Sequence, residues 1–159
     1  MKVDHSVALI AATIFCSSTA ISSLKAPLVN IFVSSYNHTV TSLRLPPQER
    51  VPWALQTTEV TQDCGINPSW LTFDASKRYL YCLNEGINQN TGSVTALSVS
   101  KSGSFTTVGK KSLLPGPVSG YLSRRGSSSA LFVAHYRSVI YNNVVWKSLT
   151  VGVVQVPYL

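Results

Sequence analysis

Acidic residues are scarce in this 159-residue chain: six Asp and Glu stand against thirteen Lys and Arg, and none follows Glu85. The formal charge of +7 raises the question of a polyanionic partner. The basic residues, however, fall in short polar clusters that read as turns: Lys77-Arg78, Lys110-Lys111 and Arg124-Arg125. Aromatic residues are not interleaved with them as on a nucleic-acid surface, so no nucleic-acid partner is expected. Three histidines, one of them (His5) near the N-terminus, do not make a metal site. There is no GxSxG elbow, no phosphate-binding loop, no zinc spacing and no dinucleotide fingerprint. No metal or organic cofactor is therefore expected. Sustained helical periodicity is missing too, and no apolar run reaches the ~20 residues that a membrane span needs.

What is abundant is Ser, Thr, Val and Leu, the composition of a β-rich secreted protein. Met1-Lys2 is a short positive start, Ser6 to Cys16 is apolar, and Ser18-Thr19-Ala20 offers the small residues of a cleavage site. Residues 1–20 read as a secretory signal peptide, the alternative being an uncleaved anchor. The expected location is extracellular, with no membrane association after cleavage. Cys16 leaves with the signal, which puts Cys64 and Cys82 in an oxidising compartment; they form one disulfide or remain two buried thiols. Asn37-His38-Thr39 is an N-glycosylation sequon at a predicted turn.

The mature chain reads as short strands at 29–33, 39–45, 70–73, 79–83, 93–99, 104–108, 121–122 and 130–134, with Trp53-Ala54-Leu55 as a further strand edge. Gly86 and Gly92 are expected to supply positive φ in the loop 84–92. Three of the strands repeat: NIFVS, YLYCL and ALFVA, centred on Phe32, Tyr81 and Phe132 at separations of 49 and 51 residues. A period of this length holding about four short strands is the mark of a β-propeller blade. An evenly spaced β-sandwich is the competing architecture. The predicted class is thus all-β: a partial propeller over 28–136, of about two blades plus the start of a third. Residues 137–159 lack the turn residues of a further blade. They read either as a strand pair turning at Asn142-Asn143 or as a divergent tail from a truncated or mis-spliced product.

The phrases CGINPSWLTFDASKRYLYCLNEG, GSVTALSVSKSGSFTTVG, PGPVSG and LFVAHY resemble the lactonase-like seven-bladed β-propeller family, which includes 6-phosphogluconolactonases of the bacterial type and fungal carboxy-cis,cis-muconate cyclases. The resemblance implies a seven-bladed ring acting on a small lactone or carboxylate, of which this chain would be an N-terminal piece. It also implies that the family's histidine and arginine/glutamate site comes from blades beyond Tyr136, so none of those residues transfers here.

In a blade, the loop between the second and third strands opens on the same side as the loop entering the first. That places Asn84, Glu85 and His135 near one mouth of the channel, with Glu85 and His135 as candidate general acids or bases and Arg124-Arg125 as anion-binding groups if turned inward. The plainer alternative makes Glu85 a turn carboxylate, His135 a backbone-bonded residue and the arginines solvated. The expected function is that of a lactonase or muconate-type cycloisomerase piece without activity of its own. The alternatives are a secreted binding propeller without chemistry and a non-functional truncated product.

Overall fold

The computed structural model describes residues 29–45, 54–125, 128–141 and 144–155. The sequence repeat becomes three antiparallel sheets in chain order. The first is β1 (Val29–Ser35), β2 (Thr39–Leu45) and β3 (Gln56–Thr61). The second is β4 (Pro68–Asp74), β5 (Tyr79–Asn84), β6 (Gly92–Val99) and β7 (Phe105–Leu113). The third is β8 (Pro117–Arg125), β9 (Ser128–Tyr141) and β10 (Val144–Gln155). Each sheet pairs its strands in sequence order, as consecutive short connections require. Among the described residues no helix is long and apolar enough to cross a membrane.

Strand direction assigns each strand its place in a blade. The four strands of the middle sheet run from innermost to outermost. β4 and β8 lie against each other and point the same way, Ser69 meeting the Pro117 carbonyl and Thr72 that of Gly120, so both are innermost strands. β5 and β9 run the opposite way as the second strands of their blades, and β1 matches them, since Tyr36 just past its end meets Glu85 just past the end of β5. The first sheet therefore presents second, third and fourth strands, and the third sheet presents first, second and third. The three repeated pentapeptides all fall on second strands, which is why their spacing stood out in the sequence.

Two apolar clusters fill the spaces between the sheets. Leu80, Cys82, Leu97 and Val99 of the middle blade pack with Val40 and Phe32 of the first. The Phe32 ring lies 5.3 Å from that of Phe73 and 5.9 Å from that of Phe105. Tyr81, Leu83 and Val94 pack on the other side against Leu131, Val133 and Val154 of the third blade. Alternation along YLYCL thus sends successive side chains into different clusters, so β5 is apolar from Tyr79 to Leu83 rather than alternating.

Several boundaries differ from the sequence reading. The strand after β2 is Gln56–Thr61, polar and β-branched, and Ala54-Leu55 precede it; Trp53 lies outside the described residues. Burial could not flag β3, because it is an outermost strand with little to cover. Gly86 takes positive φ (64°), but Gly92 does not: it opens β6, and a Cβ there would stand 2.5 Å from Pro117 Cδ. The second left-handed residue of that loop is Asn88. The third sheet holds three strands, and residues beyond Tyr136 continue as strand: β9 runs to Tyr141 and pairs with β10 from Val144↔Tyr141 to Gln155↔Ala130. Residues 1–20, read as a signal peptide, lie outside the described residues, as do Asn142 and Asn143.

Candidate functional site

Strand polarity brings four connections to one end of the blades: the β1–β2 turn (36–38) and the loops 62–67, 85–91 and 114–116. The turns 75–78 and 100–104 lie at the other end. Asn84, Glu85 and His135 all belong to the first end, since Pro117 at the start of β8 pairs with Asn84's neighbourhood through Gly116 and directly with His135.

Their side chains are differently employed. Asn84 ends β5 and is buried. Its Oδ1 accepts from the Asn67 amide (2.9 Å) and the Gly86 amide (3.4 Å), and its Nδ2 donates to Ser93 Oγ (3.4 Å). The amide fills room that Gly65 leaves: a Cβ at Gly65, already at φ +103°, would stand 2.7 Å from Asn84 Nδ2. Asn84 therefore locks two loops together and has little left to offer a ligand. Asn67 continues the lock, its Oδ1 accepting from the Ile87 amide (3.1 Å) and its carbonyl from the Glu85 amide (3.0 Å).

Glu85 stands where three blades meet. Its carbonyl accepts from the Gly116 amide (2.9 Å), and the Gly116 carbonyl accepts from the Tyr136 amide (2.7 Å). Only glycine fits at position 116, where φ is +76° and a Cβ would run into the Tyr136 carbonyl oxygen. The Glu85 carboxylate accepts from the Tyr36 hydroxyl of the first blade. That hydrogen bond, with partial burial and the carboxylate's charge as lesser causes, holds the Tyr36 phenol above its usual range. Sequence reasoning missed Tyr36 and Asn67. Tyr36 sits in the turn of the repeat equivalent to the loop bearing Glu85, and that equivalence was the one signal pointing to it.

His135 is buried on β9, with its Nδ1 enclosed and lacking a hydrogen-bond partner. A Cβ at Gly152 on β10 would lie 3.5 Å from its Nε2, so the imidazole packs over that glycine. Glu85 and His135 are joined through the Gly116–Pro117 backbone rather than aimed at a common point in the channel. Among the described residues no three His, Cys, Asp or Glu side chains are grouped to hold a metal.

Arg124 and Arg125 do not reach this mouth. Arg124 is near the far end of β8, seven residues beyond Pro117, which is roughly 23 Å along an extended strand. It forms an ion pair with the buried Asp74 carboxylate and donates to Ser76 Oγ. Asp74 also accepts from Ser76 Oγ (3.1 Å) and the Lys77 amide (3.0 Å), closing the β4–β5 turn. A cavity of about 500 Å³ opens beside this pair, lined by Thr72, Phe73, Gly120, Tyr121 and Leu122 among others. Arg125 is exposed. The inward turn that would put Arg124 beside Glu85 is thus excluded by its partner Asp74.

Cys64 and Cys82 are joined as a disulfide with a Cα–Cα distance of 5.9 Å, tying the loop that enters β4 to the strand beside it. Asn37 is exposed at the tip of the β1–β2 turn, next to Tyr36.

Three stacked, sequentially wound antiparallel sheets, with the innermost strands of the second and third side by side, define a partial β-propeller. The profile of the family described as "Lactonase, 7-bladed beta-propeller" matches residues 30–146, most of the chain and ten residues past Tyr136. The chain belongs to that lactonase seven-bladed β-propeller family. No curated protein and no solved structure matches it.

Proposed function

We propose that this chain is the N-terminal part of a secreted lactonase-type propeller, and that the three blades do not turn over substrate by themselves. The complete ring would open a small lactone by hydrolysis, or carry out the related muconate-type cycloisomerisation, without metal or organic cofactor. Its ligands are small lactones or carboxylates. Family membership supports the reaction class. The observation that carries the inactivity of these blades is the employment of the mouth residues: Asn84 is consumed by loop contacts, the Glu85 carboxylate is held by Tyr36, and His135 is buried. Lactone opening needs an activated water and a positive group at the developing oxyanion. Arg124 of the third blade is engaged by Asp74 at the opposite end.

Secretion is supported by the apolar N-terminal segment and by a disulfide, a bond that persists in oxidising compartments. The exposed sequon fits a glycan on Asn37. A binding propeller without chemistry is the second reading, favoured by the same engagement of Glu85 and Asn84.

The test has two arms. Hydrolysis of a simple γ- or δ-lactone by the purified chain is expected to stay at the buffer rate; turnover that Glu85→Gln removes would overturn the inactivity. Sequencing of the transcript is expected to continue with further repeats at a spacing of about 50 residues. A stop codon directly after Leu159 in the mature message would sink the reading as part of a larger ring.

A further inference from the structure

Strand polarity sorts charge as well as loops. Arg44 near the end of β2, Lys77 and Arg78 in the turn 75–78, Lys101 in the turn 100–104, and Arg124 and Arg125 at the end of β8 all stand at the end opposite the channel mouth. Among the described residues the acidic group at that end is Asp74, which is buried and engaged by Arg124. Asp63 and Glu85 belong to the mouth, and Glu59 lies along β3. Arg44 and Arg78 are pinned without being neutralised. Arg44 Nη2 donates to the Ser102 carbonyl; Arg78 donates through Nε to the Val99 carbonyl (2.8 Å) and through Nη2 to that of Ser100. A carbonyl carries no net charge, so both guanidinium charges remain, held at the carbonyls that flank the exposed Lys101. Ser100, Ser102 and Ser104 add a row of hydroxyls to the same turn. Arg44 joins the first blade to the second, and Arg124 joins the third to the second. The face is therefore built across neighbouring blades that are both present, on turns that a further blade beside the stack would leave open.

We propose that this basic end face binds an acidic polysaccharide. Its cations spread over three blades, roughly 20 Å at two sheet spacings, on an open surface. That layout suits a polymer with repeated carboxylates or sulfates better than one small anion. Guanidinium groups take either anion through paired N–H donors, and charge gathered on one face raises the local concentration of a polyanion. The turns 75–78 and 100–104 hold no aromatic and no large apolar residue. A single strand of nucleic acid would have nothing there to stack on, and a bilayer nothing to bury. Their serine hydroxyls instead match the hydroxyls of a sugar. The choice of a polysaccharide also rests on the secreted reading above, which puts the chain outside the cell, where such polymers occur.

The experiment is fluorescence anisotropy of labelled dextran sulfate and labelled polygalacturonate, each titrated with the purified chain at low salt, with neutral dextran as the blank. The chain is expected to bind at least one acidic polymer and to leave neutral dextran free; the two arms tell sulfate from carboxylate. Affinity is expected to fall about tenfold as ionic strength rises to about 0.15 M, since exposed charges are screened. Lys101→Gln with Arg125→Gln is expected to weaken binding about tenfold, whereas Lys110→Gln with Lys111→Gln, which removes the same charge from β7, weakens it about twofold or less. Should either pair alter the fold by circular dichroism, Lys101→Gln and Lys111→Gln alone carry the same comparison. Failure to bind both acidic polymers, equal losses in the two pairs, or tighter binding to single-stranded DNA or phosphatidylserine vesicles than to either polysaccharide overturns the proposal. The readout is independent of lactone turnover, and export into the medium is measured apart, so either reading can fail without the other.

Discussion

The middle blade and the two outer blades are built from nearly the same second strand, yet they live in different environments. YLYCL is buried on both faces, with Leu80 at 1% and Tyr81 at 4% exposure; ALFVA buries one face, and NIFVS half-buries one. The residue types hardly change. What changes is the presence of a neighbouring sheet, and with it the worth of each side chain, since apolar stabilisation follows the area removed from water. A blade in the middle of a stack is a core; the same sequence at the end of the stack is a surface.

Truncating a matched pair breaks this comparison most sharply. Leu80→Ala is expected to cost about 2–5 kcal/mol and its register mate Ile31→Ala about 1 or less, read from urea or thermal denaturation. Equal losses at the two sites would mean that the outer face is covered in solution. Next in size is the disulfide that belongs to the middle blade alone. With a sequence separation of 18, replacing Cys64 and Cys82 together by Ala is expected to lower stability by about 3 kcal/mol. An unchanged midpoint under reducing conditions would show that apolar packing holds the loop without it.

Contacts between blades come after those within one. Asp74→Ala removes the carboxylate that closes the β4–β5 turn and holds Arg124 of the third blade. The expected loss is about 2 kcal/mol, because the carboxylate is buried while the guanidinium is partly solvated. Arg124→Met should cost less than Asp74→Ala, since the turn contacts remain; the reverse order would show that the ion pair dominates. Smallest is the Tyr36–Glu85 link between the first blade and the second, whose exposure keeps it under about 1 kcal/mol. The Tyr36 and Tyr81 phenols are both held above the ordinary value of 10.0, Tyr36 by its hydrogen bond to Glu85 and Tyr81 chiefly by burial. The folded state therefore grips these protons more tightly than the unfolded chain does. Their contribution is whole below about pH 10 and disappears as pH rises through the raised folded values. Tyr36→Phe should flatten part of that alkaline loss, and a pH titration of the melting temperature from 8 to 11.5 checks it.

Much of the blade pattern was legible because the interior strands carry unbroken signals. YLYCL and the strands 93–99 and 104–108 with their short connection all follow from local preferences that agree with the fold. The polar strand Gln56–Thr61 was not legible, because an outermost strand buries little and leaves no periodic trace. The site was legible only as a location. Loop order puts Asn84, Glu85 and His135 at one end, but no spacing rule says that Asn84 will be used up by Asn67, Gly86 and Ser93, or that Tyr36 will reach across 49 residues to Glu85. Likewise Arg124 reads as a free surface charge until β8 is laid beside β4 and Asp74 claims it.

By itself the sequence determined an all-β chain with a repeat near 50 residues, favouring blades over an evenly spaced sandwich, since strand periods and turn residues are local properties that every strand states on its own. Only the tertiary structure decided which copy of the repeat is core and which is surface, and whether a polar group is a ligand or a fastener. Burial and hydrogen bonding depend on what stands opposite, and the sheet opposite is supplied by a blade about 50 residues away.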